Sequence, residues 1–433
     1  MRRIILITLA AVLAACSSSG GGDGLTEIRF VNVVPDSNLL IFQVAEDNFP
    51  GIGFEQATGY QGFGGTYPFD LELVNADGTL TTLVDDRMLT IDGDNEWTFV
   101  AVGTVAAPDF IAVVAANGDP AENFAKIQFI NSTPEEYTAY IYAAGQFGSG
   151  TSYSATIAAR TFDAPAEVAA QSVQVRIERA DTSIAFESEP IDLLSLDDVT
   201  FVITDYTGPG PAVAGGNVLL VERTGIVGVV DTAARPATLR YVHSLTNLGD
   251  DATVTRTDSM QASTDATLSF ATATARETVA AGDYDFAVAP AGNPGAPVYN
   301  ASSTLVAGNE YAQVLLGDLA APDNLLLIED TRSIANAAKV SLIHAAPGLA
   351  EVDVYVSEVG AENLSGTLFT ALAHRATLDF TIDGEPRVLT VTNAATTDVV
   401  AGPFEVSLSD GAVVSILLHE AETGGSPFAL TEL

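Results

Sequence analysis

Chemistry in a folded chain starts from histidine, cysteine, lysine or gathered acids. These 433 residues offer four histidines, one cysteine, two lysines and 56 acids. The histidines are His243, His344, His374 and His419. His243 and His344 occupy equivalent places in two copies of a recurring phrase, where Asn32 and Asn131 stand in the other two. A catalytic imidazole would not survive exchange with an amide. A hydrogen bond to a neighbouring loop would, because both side chains donate and accept. The position is therefore expected to be structural. His419-Glu420 has no second histidine four residues on, so no zinc-protease helix is written here. The scattered histidines and Cys16 also lack zinc-ligand spacing. There is no Gly-x-Ser-x-Gly elbow, and neither Lys126 nor Lys339 completes a Ser-x-x-Lys pair or a Gly-x-x-x-x-Gly-Lys phosphate loop. The acids would allow a glycosidase pair, but nothing singles one out. The expectation is a protein that is not an enzyme, with no catalytic or cofactor-binding residue and no metal site assigned.

Calcium is the one cofactor worth weighing. Asp92-Gly-Asp-Asn-Glu96 packs oxygen ligands into five residues, and Asp197-Asp198 and Asp250-Asp251 fall in expected loops. Calcium takes about six to eight oxygens, often from such loops. Asp-Gly-Asp-Asn is equally what a hairpin turn requires, and the helix-flanked calcium loop is missing.

Cys16 carries a different chemistry. Arg2 and Arg3 precede an apolar run from Ile4 to Leu13, then Leu13-Ala14-Ala15-Cys16. The run is too short to span a bilayer and ends in the small residues of a cleavage site. The only cysteine follows directly, as a lipoprotein signal peptidase requires, so lipidation of Cys16 is expected. The alternative is an ordinary secretory signal. Residues 16–25 add a Ser/Gly tether that spaces folded material from the membrane. Ser17 rather than Asp after the cysteine favours the outer membrane. A lipidated cysteine cannot pair, so stability must come from apolar cores, and 47% hydrophobic residues allow several of them.

The formal net charge is −39, and removing residues 1–15 takes away two arginines and no acids. Such a surface repels nucleic acid and anionic lipid, so neither is an expected partner. Cation binding, a salt-rich habitat and plain solubility of an exported protein all fit it.

The elements that would position any site come from a repeat. Glu27-Ile-Arg-Phe-Val-Asn-Val-Val-Pro35, Ala125-Lys-Ile-Gln-Phe-Ile-Asn-Ser-Thr-Pro134, Ala237-Thr-Leu-Arg-Tyr-Val-His-Ser-Leu-Thr246 and Ala338-Lys-Val-Ser-Leu-Ile-His-Ala-Ala-Pro347 overlay one another. A period near one hundred residues is the size of a small domain and too long for a solenoid. Alternating runs such as Val173-Gln-Val-Arg-Ile177 and Tyr284-Asp-Phe-Ala-Val288 lie between turn residues such as Asp77-Gly78 and Asp410-Gly411. About seven short strands per copy point to antiparallel β-sandwiches. A short helical piece is expected near Ala164–Ala170. Polar or alanine-rich linkers at Ala116–Phe124, Asp231–Pro236 and Asp330–Ala337 suggest a string of beads with modest contacts between neighbours.

Val340-Ser-Leu-Ile-His-Ala-Ala-Pro-Gly348 followed by Val352-Asp-Val-Tyr-Val356 resembles the bacterial family called domain of unknown function 4397. Ala281-Gly-Asp-Tyr-Asp-Phe-Ala-Val-Ala-Pro-Ala-Gly292 and Leu305-Val-Ala-Gly-Asn-Glu-Tyr-Ala-Gln-Val-Leu315 look like the middle of that pattern. Copies one and two depart from it at Asn32 and Asn131, and copy three has Thr246 where the others have proline. The resemblance implies tandem sandwich domains on secreted or surface proteins and carries no activity.

The reading is all-β: four tandem antiparallel, immunoglobulin-like β-sandwiches after a signal peptide at 1–15. The repeats are expected at 26–116, 125–230, 237–330 and 338–433. The expected role is binding or adhesion at the cell envelope, anchored in the membrane through Cys16, with an extracellular polysaccharide or an envelope protein as partner. The alternatives are a structural spacer and an accessory protein or enzyme for extracellular polysaccharide. Gln146–Ala170 and Tyr206–Gly216, carrying Phe147, Tyr153 and Tyr206, are the expected ligand-facing loops.

Overall fold

The architecture comes from a computed structural model. It describes residues 26–433 except 46, 64, 92–94, 117, 209–212, 233–234, 250, 363 and 422–426. The expected signal peptide at 1–15, Cys16 and the expected tether lie outside the described residues.

The fourth repeat shows the plan most plainly. Its strands are Ala338–His344, Glu351–Glu358, Thr367–Ala373, Thr377–Ile382, Arg387–Asn393, Val399–Val406, Val413–Glu420 and Phe428–Glu432. One sheet runs in the order fourth, first, seventh, eighth, and the other third, second, fifth, sixth. The other three repeats keep this order, with eight strand positions where about seven were expected, and the second adds Val227–Val229 beyond its eighth strand. Every pairing is antiparallel except one per repeat: the first and seventh strands run parallel, at Ile28↔Trp97, Ile127↔Val199, Leu239↔Tyr311 and Val340↔Val414.

The fourth strand is continuous only in the last repeat. Elsewhere it is two short pieces, both paired with the first strand. At the break a side chain takes over the missing backbone acceptor. Thr58 Oγ1 accepts from Phe30 N at 3.0 Å, Asp163 Oδ1 from Phe129 N at 2.7 Å and Thr274 Oγ1 from Tyr241 N at 3.0 Å. Ala166–Ala169 is one of these pieces, so the helix expected near Ala164–Ala170 is a strand. The free edge of Phe124–Ile127 captures it, and Val168 fills the core.

Each sandwich closes around its own apolar interior. In repeat 1, Ile28, Phe30, Phe99 and Phe110 of one sheet meet Leu40, Phe42, Phe69 and Leu71 of the other. Repeats 2, 3 and 4 have equivalent interiors.

Two further clusters correct the string of beads. Val31, Val100, Val102, Ile111 and Val113 point out of repeat 1 and pack on Ile130, Val202, Leu219 and Val221 of repeat 2. Val242, Ala312, Val314 and Leu316 of repeat 3 meet Ile343, Ala345 and Leu417 of repeat 4 in the same manner. The sheet holding the first and seventh strands is thus buried on both faces. This explains why the first strands carry apolar residues on both faces, as with Phe30 inward and Val31 outward, since a one-sided sheet would alternate. Repeats 1 and 2 form one face-to-face pair and repeats 3 and 4 another.

The pairs also touch one another. Arg332 Nη1 donates to the carbonyls of Pro35 and Ser37, both at 2.7 Å. Ala335 N donates to Asp36 O at 2.9 Å, and Asn336 Nδ2 to Asn75 Oδ1 at 2.6 Å. The third linker is therefore a strap across repeat 1.

Candidate functional site

The four equivalent polar positions do one job. Asn32 Oδ1 accepts from Val34 N at 2.9 Å and Asn131 Oδ1 from Thr133 N at 3.1 Å. His243 Nδ1 accepts from Leu245 N at 3.2 Å and His344 Nδ1 from Ala346 N at 3.4 Å. All four side chains are buried, and each pins the chain where it leaves the first strand. Burial lowers both imidazole pKa values to about 4, so they are neutral at pH 7. With Nδ1 accepting, the proton sits on Nε2, which then offers no lone pair to a metal. Asparagine also satisfies its donors, on Ser37 and Ile52 O in repeat 1. The Nε2 atoms of His243 and His344 find no partner among the described residues. His374 meets His344 edge-on at 5.6 Å, and burial lowers its pKa. His419 is held by Glu420 O at 2.8 Å and Thr431 Oγ1 at 2.9 Å, and burial lowers its pKa too.

Asp92, Asp94 and Asp250 of the calcium reading lie outside the described residues. Glu96 is 2% exposed and serves another purpose. With Asp198 it receives Lys126, at 3.2 and 2.6 Å, and Arg223 joins Glu96, Glu27 and Asp198. Beside them Arg29 donates to Thr98 at 2.9 Å and to Thr200 of repeat 2 at 2.5 Å. Arg240, the equivalent residue of repeat 3, binds Glu329 and reaches Ser415 of repeat 4 at 2.8 Å. Charges and hydroxyls thus frame the apolar contact in both pairs. The sequence alone did not single out Asp70, Asp85 and Asp86, whose carboxylates converge within 4.8 Å. Asp70 also accepts from Asp86 N at 2.6 Å.

The expected ligand loops of repeat 2 are mostly sheet. Gln146–Ala170 contains the strands Thr151–Ile157, Thr161–Phe162 and Ala166–Ala169, and Val213–Glu222 is the eighth strand. Tyr153 faces inward, stacked on Phe129 at 6.0 Å and bonded to Asp163, whose pKa burial raises to about 7. Tyr206 is 6% exposed and lies beneath Arg235 at 4.7 Å. Neither is a surface aromatic. Phe147 alone of the three stays at the surface, edge-on to Tyr142 at 5.6 Å.

A cavity of about 510 Å³ opens where repeats 1, 2 and 3 meet the strap, lined by Phe54, Glu55, Tyr206, Asn217, Arg235 and Arg332 among others. Glu55 accepts from Asn217 at 2.6 Å, and burial raises its pKa. Arg235 donates to Gly216 O at 2.6 Å and Asn217 Oδ1 at 2.8 Å. Arg332 lies 5.0 Å over Phe54. Burial lowers the pKa of both arginines. The arrangement fixes charges at a junction, and Thr331 Oγ1 donates to the Glu310 carboxylate on the same lining.

The model of the family described as "Domain of unknown function (DUF4397)" matches residues 26–142 and 237–355, together more than half of the chain. Each match begins at the first repeat of a pair and runs into the second strand of its neighbour. No curated protein matches. Among solved structures, the Bacillus anthracis TIE protein is 7% identical, with 88% of this chain on 65% of that one, under two thirds of its length, and a TM-score of 0.18. A fimbrial assembly protein from Parabacteroides distasonis is 10% identical, with 48% on 99% and a TM-score of 0.20. The pilus adhesin SpaC from Lactobacillus rhamnosus GG is 10% identical, with 92% on 55% and a TM-score of 0.21.

Proposed function

This chain belongs to the family described as domain of unknown function (DUF4397), and from that premise we propose that it is a non-catalytic binding and display protein of the cell envelope. Cys16 carries the lipid that anchors it, in the outer membrane where the cell has one, and the Ser/Gly tether holds the repeats clear of the bilayer. One observation carries the reading: the repeated histidine position and the charged groups beside it are spent on structure. His243 and His344 hold turns, Lys126 ties repeat 2 to Glu96 of repeat 1, and Arg240 ties repeat 3 to Ser415 of repeat 4. A scaffold so committed offers its outer sheet faces and junctions to an extracellular polysaccharide or an envelope protein.

The test is capture on cells with the native Cys16. The protein is crosslinked in place and purified, and its partners are identified beside a control lipoprotein. A reproducible polysaccharide or envelope protein supports binding; an empty capture with a working control would leave a spacer. Cys16→Ala is expected to move the protein from the membrane fraction to the soluble one, and retention in the membrane would sink the anchor.

A further inference from the structure

We propose that the outer face of one sheet of the second repeat is a binding platform for a neutral polysaccharide. The proposal rests on the binding reading above and names its partner class. The sheet consists of Thr151–Ile157, Tyr137–Ala143, Ser172–Arg179 and Ile184–Glu187, in that spatial order, with Ile191–Asp192 at one corner. Tyr137, Ala139 and Ile141 point into the core, so Thr138, Tyr140 and Tyr142 point away from it. Register lays the outward residues in rows. Tyr140 stands between Ser154 and Arg176, and Arg176 faces Glu187. Thr138 stands between Thr156 and Glu178, and Tyr142 between Thr151 and Gln174.

The aromatic content of this face is not needed by the fold. Outward positions of the same second strand carry Ile41 and Gln43 in repeat 1, Thr253 and Thr255 in repeat 3, and Asp353, Tyr355 and Ser357 in repeat 4. Among the described residues, only repeat 2 places two tyrosines and a phenylalanine together on this outer face. The rings of Tyr140 and Tyr142 lie 5.8 Å apart and 22° from parallel, and Phe147 closes on Tyr142. Arg176 sits 4.8 Å from the Phe147 ring and 5.5 Å from that of Tyr142. Tyr142 is buried beneath this arrangement, while Tyr140 and Phe147 remain partly open. A cation clamped to the rings fixes them before any ligand arrives, which lowers the ordering cost of binding.

Rings flanked by hydroxyls, an amide and carboxylates match a sugar, which presents C–H faces to aromatic surfaces and hydroxyls to polar ones. Charge selects among sugars. Arg176 is paired with Glu178 at 3.5 Å and with Glu187, so its charge is already answered and the patch keeps a surplus carboxylate. In a chain of net charge −39, an acidic polymer is repelled from this face and an uncharged one is not.

The experiment uses the full-length protein in detergent micelles, offered cellulose, chitin and dextran as neutral probes and alginate as the acidic one. Retention on at least one neutral polymer and none on alginate is expected. Tyr140→Ala and Phe147→Ala should each weaken that retention about ten-fold or more, as for a buried-ring anchor. Tyr140→Phe should keep most of it, and Tyr355→Ala on the fourth repeat should change nothing. Unaltered thermal midpoints would show that the variants fold; as partly exposed residues they can be replaced singly. The proposal is overturned if no neutral polymer is retained, if only alginate is, or if neither alanine variant loses binding. Successful capture of an envelope protein on cells without neutral-polymer binding would sink this inference and leave the display reading standing.

Discussion

Leu417 of the seventh strand of repeat 4 is fully buried, yet it points out of its own sandwich onto Val242, Val314 and Leu316 of repeat 3. Leu417→Ala removes three carbons from that contact. At about 0.8 kcal/mol per buried methylene the transfer loss is about 2.4 kcal/mol, and incomplete closure of the cavity brings the total to about 3 kcal/mol. Repeats 3 and 4 span some 200 residues, for which each kcal/mol moves the midpoint by about 2–4 °C, so the pair should melt about 6–12 °C lower. The assay is differential scanning calorimetry on a soluble version beginning at Ser17. The transition of the first pair serves as internal reference, and Val359→Ala, at a half-exposed site, serves as control. In independent beads the outward face of this sheet would be wet, and Leu417→Ala would then cost less than about 0.5 kcal/mol. A shift below about 1 °C would therefore refute the face-to-face pairing.

Three other outcomes follow from the same contacts. His243 and His344 have folded pKa values near 4 against 6.5, so their neutral forms contribute stability that is complete above pH 6.5 and lost as pH falls through 4. At about 1.4 kcal/mol per unit this comes to about 3.5 kcal/mol for each, and His243→Asn should flatten the melting temperature between pH 7 and 4. Asp163 has the opposite sign: its folded pKa is raised to about 7, so stability is lost as pH rises through 7. Asp163→Asn should stabilise at pH 8 and not at pH 3, as read by thermal midpoints. Arg332→Ala removes two charged donors from Pro35 and Ser37, worth about 1.5–3 kcal/mol each. Small-angle scattering should show a larger radius of gyration, and protease should cut sooner within 330–337; an unchanged radius would mean the strap does not hold the pairs together.

Much of the site chemistry could be read before the fold. Exchange of His243 and His344 with Asn32 and Asn131 marked a hydrogen-bonding position, because only a role shared by amide and imidazole survives the swap. The split fourth strand was not legible, because Thr58, Asp163 and Thr274 are ordinary polar residues until the first strand's unpaired N–H is seen opposite them. Tyr153 and Tyr206 misled, since an aromatic in a glycine-rich stretch carries no sign of which way the strand turns it. Phe147 marks the proposed face only in company with Tyr140 and Tyr142, whose outward direction depends on the inward choice of Tyr137.

Local pattern determined the all-β class and the four phrases, because alternation and turn residues are each written within about ten neighbouring positions. The pairing of repeats was decided by tertiary structure alone. Val31, Ile130, Val242 and Ile343 sit at one place in the repeated phrase and look like core residues of any sheet. Whether that second apolar face meets water or another sandwich depends on surfaces about a hundred residues away, which no local pattern encodes.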